Sequence, residues 1–231
     1  MAQHAPSHLS VGMMLFPSLT LLDLAGPYDV FSRMPGAHVY LVASSLEPIR
    51  TEKGLTLTPD TSFENAPLFD ILFVPGGPGQ QLVMEDEGFL NFLRERGQTA
   101  RLLTSVCTGS LILGAAGLLQ GYRATTHWRY LDLLSLLGAQ PVAERVIVDR
   151  NRITGAGVSA GIDLALSIVS VLFGKDVAQS IQLSIEYDPQ PPFPGGSPNS
   201  ADPELVAGLS AKLDDVYTKR RRQIERIVAR L

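Results

Sequence analysis

The order of elements in the sequence predicts an α/β fold, with a mostly parallel central sheet covered by helices on both sides. Three observations carry this expectation. Short β-type runs alternate with helix-type segments through the first half of the chain, the pattern of βα units. The runs Leu9 to Phe16 and Ile71 to Val74 are flatly apolar rather than alternating, as strands buried on both faces must be. A chain of 231 residues, 45% of them apolar, also suffices for one large domain with a sizeable core.

The elements follow in order. Strand Leu9 to Phe16 leads to helix Leu24 to Met34, then strand Val39 to Ala43. Strand Ile71 to Val74 precedes helix Asp86 to Arg96, and strand Leu102 to Val106 runs directly into helix Gly109 to Gln120. Trp128 to Leu137 reads as a helix ended by Gly138, and Ser159 to Phe173 as an apolar helix ended by Gly174. Between them, Arg145 to Asp149 and Arg152 to Thr154 form a hairpin across Arg150-Asn151. A further helix, Asp176 to Glu186, follows at once.

The stretch Asp188 to Pro198 holds five prolines, which excludes helix and central strand and sends the chain over the surface. Residues 9–187 are therefore expected to form one α/β domain. Residues 188–231 supply the Pro-rich crossing and one closing helix, packed on the same domain or on a dimer partner. In that helix Asp202 is the N-cap and Pro203 the first helical residue. Leu205, Leu209, Leu213, Val216, Ile224, Ile227 and Leu231 mark a buried face with one gap at Arg220. The basic run Lys219 to Arg222 reads as a solvated face that complements the helix macrodipole, with phosphate contact as the alternative.

Composition excludes several function classes. With 19 basic and 23 acidic side chains the net charge is −4, too near neutral to steer nucleic acid or an anionic membrane. The longest stretch of apolar residues and glycine, Leu111 to Leu119, is about half of the roughly 20 residues needed to span a bilayer. Met1 to Leu9 lacks the basic cluster and apolar core of a secretory signal, so a soluble cytoplasmic protein is expected. Cys107 is the single cysteine, which forbids an intrachain disulfide and any multi-cysteine zinc site. His4, His8 and His38 are scattered and no metal site is expected.

What chemistry there is centres on that thiol. Cys107-Thr108-Gly109-Ser110 sits between a strand and an apolar helix, a strand–turn–helix geometry that presents a nucleophile at the carboxyl edge of a sheet. The helix start places the thiol at the positive end of a macrodipole, which predicts a lowered pKa. Pro75-Gly76-Gly77-Pro78-Gly79 also follows an apolar strand and offers backbone amides as an oxyanion-type donor pair, though not a phosphate loop, because no Lys-Ser/Thr follows. Asp23 is the one charge in the stretch Leu19 to Pro27, either a helix N-cap, which the local pattern favours, or an acid/base group with a raised pKa. His127, beside Trp128, is either the base of a Cys–His pair or a structural hydrogen bonder.

These motifs occur together in one known family. Leu22-Asp23-Leu24-Ala25-Gly26-Pro27, Val74-Pro75-Gly76-Gly77, Ser105-Val106-Cys107-Thr108-Gly109-Ser110, Ala124-Thr125-Thr126-His127-Trp128 and Ser159-Ala160-Gly161-Ile162-Asp163 resemble, in order, the ThiJ/PfpI group of the class I glutamine amidotransferase-like superfamily. The resemblance covers nearly the whole chain. It implies a flavodoxin-like doubly wound sandwich, usually a homodimer, with Cys107 as nucleophile on the elbow and Asp23 as its acidic partner in place of a plain cap. Thr108 separates the chain from peptidase-like relatives, which place His after the cysteine, and from deglycase-like ones, which place Ala there. The Cys-Thr-Gly elbow implies hydration of a small-molecule isocyanide by water to an N-substituted formamide, without metal or organic cofactor. Thr108 is expected to hold Asp23 or the thiol, amides near Gly77 and Thr108 to stabilise charge, Val158 to open a helix near the nucleophile, and Gly76, Gly77, His127 and Val158 to border the substrate. His127 is expected to be structural. The resemblance leaves two other readings. One is a regulator's sensor domain, for which Asp202 to Leu231 leaves no room for helix-turn-helix units; the other is a glyoxalase or deglycase acting on a carbonyl.

Overall fold

The computed structural model describes residues 8–230. The reading of the first residues, His4 included, and Leu231 of the tail lie outside them. In chain order the elements are β1 (Leu9–Met14), α1 (Leu21–Phe31), β2 (Ala37–Ala43), β3 (Ile49–Arg50), β4 (Thr56–Leu57), β5 (Thr61–Ser62) and β6 (Ile71–Val74). Next come α2 (Gln80–Val83), α3 (Glu87–Thr99), β7 (Leu102–Val106), α4 (Gly109–Ala115), β8 (Arg123–Ala124), a 3₁₀ turn (Trp128–Tyr130), α5 (Leu133–Leu136) and β9 (Gln140–Pro141). The chain continues through β10 (Val146–Asp149), β11 (Arg152–Gly155), α6 (Ala160–Phe173), α7 (Lys175–Ser184), α8 (Pro203–Lys212) and α9 (Asp214–Val228).

The seven-stranded sheet has the order β10-β11-β7-β6-β1-β2-β5. All its pairings are parallel except β10 with β11, the predicted hairpin. Every residue of β1, β6 and β7 is buried, which explains their continuous apolar character. Helices lie on both faces. On β7, Leu103 points toward Gly97 of α3 and Val106 toward Gly161 of α6; residues three apart on a strand point to opposite faces. Close approach of α1 to α6 depends on Gly161, where an added Cβ would lie 2.9 Å from the Pro27 ring. The architecture is the flavodoxin-like α/β fold. Because β2 follows β1 on one side and β6 lies on its other side, the strand order reverses beside β1, and a crevice opens at the carboxyl ends of β1 and β6.

Three helical expectations are corrected. The tail is not one helix: α8 ends and α9 begins at Leu213, where Asp214 and Asp215 favour a fresh helix N-terminus. The buried face is confined to α9, since α8 has no buried residue and Leu205 and Leu209 are exposed. Trp128 to Leu137 resolves into the 3₁₀ turn and the four-residue α5. Helix α4 stops at Ala115, short of Gln120, because Gly117 takes φ 77° and turns the chain.

Candidate active site

Three strand ends converge on one point. Beyond β1 the chain enters α1 and brings Asp23 into its first turn; β6 leads into Gly76-Gly77; β7 leads into Cys107. Cys107 has φ 54°, a left-handed conformation that costs a non-glycine residue energy and must be held by its surroundings. Its N–H donates to the carbonyls of Gly155 (3.1 Å) and Ala156 (2.9 Å), and its own carbonyl accepts from the Thr126 hydroxyl at 2.6 Å. Gly109 permits the turn, since a Cβ there would sit 2.2 Å from the Val74 carbonyl oxygen. The elbow is thus pinned on both sides by neighbouring strand ends.

Asp23 is fully buried, and its Oδ2 accepts from the Gly76 N–H at 2.8 Å. Oδ1 is buried without a hydrogen-bond partner, and the Cys107 thiol is near enough to pull the carboxyl's pKa down. Gly76 must lack a side chain, because a Cβ would lie 2.5 Å from the Thr108 nitrogen and 2.9 Å from Asp23 Oδ2. Asp23 is therefore not the N-cap of α1, a position held by Thr20.

Burial pushes the Asp23 carboxyl up to about 7, against the downward pull of the Gly76 amide and the Cys107 thiol. The thiol is also pushed up, first by burial and then by the Asp23 charge. This corrects the expected lowering. The Thr108 and Val158 amides do favour a thiolate, but desolvation outweighs them. In the resting site the thiol keeps its proton.

Thr108 differs from its expected role. Its hydroxyl accepts from the Gly77 N–H at 2.9 Å, rather than holding Asp23 or the thiol. The Gly77 amide is consumed by that bond and the Gly76 amide by Asp23, so neither is free as an oxyanion donor. The amides facing the sulfur are those of Thr108 and Val158. Gly76 and Gly77 tie the acid and the elbow to the end of β6.

A cavity of about 180 Å³ opens onto the thiol, with Gly77, Thr108, His127, Tyr130, Val158 and Arg220 among its walls and Glu52 and Thr20 also contributing. His127 accepts through Nδ1 from the Arg129 N–H at 3.3 Å, capping the 3₁₀ turn, so its remaining proton is on Nε2. Burial, and then the Arg220 charge, lowers its pKa to about 4, leaving it neutral. It makes no hydrogen bond to Cys107. A larger hollow of about 330 Å³, between α6 and α7 around Asp163 and Tyr187, shares no lining residue with this cavity.

Arg220 departs furthest from the solvated face expected for Lys219 to Arg222. It is 5% exposed, with its guanidinium 4.1 Å from the centre of the Tyr130 ring, and is not part of a solvated face. The available signal was its place in the apolar periodicity of the tail, where it fills a core-facing position. Tyr130 and Glu52 carried no sequence signal of this kind.

This fold with a cysteine elbow at the switch point defines a class. Residues 9–171 match the DJ-1/PfpI family, and the chain belongs to it. The isonitrile hydratase of Pseudomonas putida is 51% identical over 224 residues, covering 96% of this chain and 98% of that protein. A solved THiJ/PfpI family protein from Pseudomonas syringae superposes with a TM-score of 0.90 at 39% identity, covering 99% of this chain and 97% of that one. The HTH-type transcriptional regulator GbdR of Pseudomonas aeruginosa is 30% identical over 78% of this chain, which spans 51% of the regulator.

Proposed function

We propose that the protein is an isocyanide hydratase, converting R–N≡C and water to R–NH–CHO with Cys107 as nucleophile and Asp23 as acid and base. The observation that carries this is the 51% identity with isonitrile hydratase over nearly the full length of both chains. The buried Asp23–Cys107 pair supplies a mechanism. As Sγ attacks the terminal carbon, the thiol proton passes to the Asp23 carboxylate, which delivers it to that carbon and leaves a neutral thioimidate, R–N=CH–S. Water then adds across the C=N bond: Asp23 takes a water proton while oxygen bonds to carbon, and the nitrogen gains that proton. Collapse of the R–NH–CH(OH)–S adduct breaks the C–S bond, and the hydroxyl proton returns through Asp23 to the sulfur. The Thr108 and Val158 amides hold negative charge on the sulfur as it enters and leaves.

In this reading residues 9–187 form the catalytic domain, and residues 188–231 add the crossing and the helices that close the pocket. The need for a free thiol suits a reducing cytoplasm. We further infer a homodimer, which sedimentation at twice the chain mass of 24.9 kDa would support and a monomer boundary would refute. The reading itself is tested by NMR with n-butyl isocyanide. N-butylformamide should form with the wild type and at least roughly 10³-fold more slowly with Cys107→Ala. Consumption of methylglyoxal with no isocyanide turnover would replace it with the glyoxalase reading.

A further inference from the structure

Arg220 is a buried cation with no countercharge among the described residues. It is 5% exposed, and among the described residues no carboxylate lies within 4.0 Å of it, although seven other arginines there find one. Its Nε is buried without a hydrogen-bond partner. A buried charge is costly unless paired, and the Tyr130 ring face at 4.1 Å compensates only part of that cost. The side chain is nonetheless held in place. Helix α9 is docked by Gln223 Nε2 donating to the Gln81 carbonyl at 2.5 Å and by the Arg129–Asp214 ion pair at 2.9 Å. Fixing a guanidinium against the wall of a cavity that also exposes the thiol has a stability cost that binding of an anion would offset.

The rest of the pocket agrees on polarity. His127 is neutral with its free proton on Nε2, so it can donate but not repel an anion on that side. Glu52 is the pocket's one other charged wall; it is exposed at the rim and makes no ion pair with Arg220. A guanidinium presents a planar fork of donors that matches a carboxylate. With about 180 Å³ available, the group it binds must be part of a small substrate.

We propose that Arg220 is a specificity residue that binds a carboxylate on the substrate, so that the preferred substrates are small isocyanides bearing an acidic substituent. This rests on the hydratase reading of the same site, and the test separates the two. Steady-state kcat/KM is measured for isocyanoacetate, its methyl ester and n-butyl isocyanide, with the wild type, Arg220→Met and Arg220→Lys. Met keeps the packing on Tyr130 and Lys keeps the charge, and thermal melts establish that each variant is folded. The ratio of isocyanoacetate to ester should fall by roughly 10- to 100-fold in Arg220→Met, the worth of a charged hydrogen-bonded pair, and less in Arg220→Lys. An unchanged ratio, with all three compounds turned over, overturns the proposal and leaves the hydratase reading intact. A second readout needs no turnover. By calorimetry, N-formylglycine should bind the wild type more tightly than N-methylformamide, and Arg220→Met should lose that difference. If N-formylglycine has no advantage, the carboxylate site is refuted even where isocyanides are hydrated. If the advantage is present and depends on Arg220 but no isocyanide is turned over, the carboxylate site stands and the hydratase reading falls.

Discussion

Asp23 and Cys107 share a buried position in which one proton serves two groups, and their behaviour with pH follows from that. Below about 7 both are protonated and the carboxyl cannot accept the thiol proton. Above it the pair holds one proton and can transfer it to substrate. For n-butyl isocyanide, which does not titrate, kcat/KM should therefore rise with pH along a limb centred near 7, and Asp23→Asn should lose roughly 10²- to 10⁴-fold and the limb with it. A flat profile in the wild type would refute the acid/base assignment. The same residue has a stability signature. The folded carboxyl keeps its proton up to about 7, whereas an unfolded one releases it near 3.8, so the native state binds more protons in between and stability falls as pH rises through that window. The cost is on the order of 4 kcal/mol by pH 8. Asp23→Asn should melt several degrees above wild type at pH 8, with the gap narrowing at pH 5 and closing only below about pH 3.8. Both residues were legible in the sequence, Cys107 from its elbow and Asp23 as a lone charge in an apolar stretch. The direction of the thiol's shift was not, because it depends on burial that no local pattern reports.

At the scale of elements, the site depends on how tightly β6, β7 and α4 meet. Gly109 lets the start of α4 touch the end of β6, so Gly109→Ala forces a Cβ to within 2.2 Å of the Val74 carbonyl oxygen and 2.7 Å of that of Pro75. A loss of about 3 kcal/mol or more is expected in chemical denaturation. Gly196→Ala, in open space on the Pro-rich crossing, is the control and should be neutral. Equal stability of the two variants would contradict the packing account. The strands and the elbow were readable because burial on both faces leaves an apolar run and a tight turn leaves a glycine. The break in the tail was harder to see, since Asp214 and Asp215 lie inside a continuous three-and-four spacing and only the packing of α9 decides which part is buried. Of the polar members of the pocket wall, Tyr130 and Glu52 were illegible, and Arg220 showed only in the apolar spacing of the tail. Arg220 sits in a run of basic residues whose neighbours face solvent, and only docking of α9 over the thiol turns it inward.

Across the whole molecule, the strand order places acid, nucleophile and glycine turn at one switch point, and α9 returns from the far end of the chain to wall the cavity. The fold class followed from element order alone, but this closure joins residues more than a hundred positions apart, and sequence periodicity carries no such long-range information. The proposed mechanism requires the substrate carbon to bond to Cys107 before it bonds to water. Intact-mass spectrometry on acid-quenched mixtures of the protein with n-butyl isocyanide tests it most directly. A protein species heavier by the full mass of the isocyanide, with nothing lost, should appear, map to the peptide that contains Cys107 and be absent in Cys107→Ala. N-butylformamide formed at an undiminished rate by Cys107→Ala, with no adduct on the wild type, would contradict it.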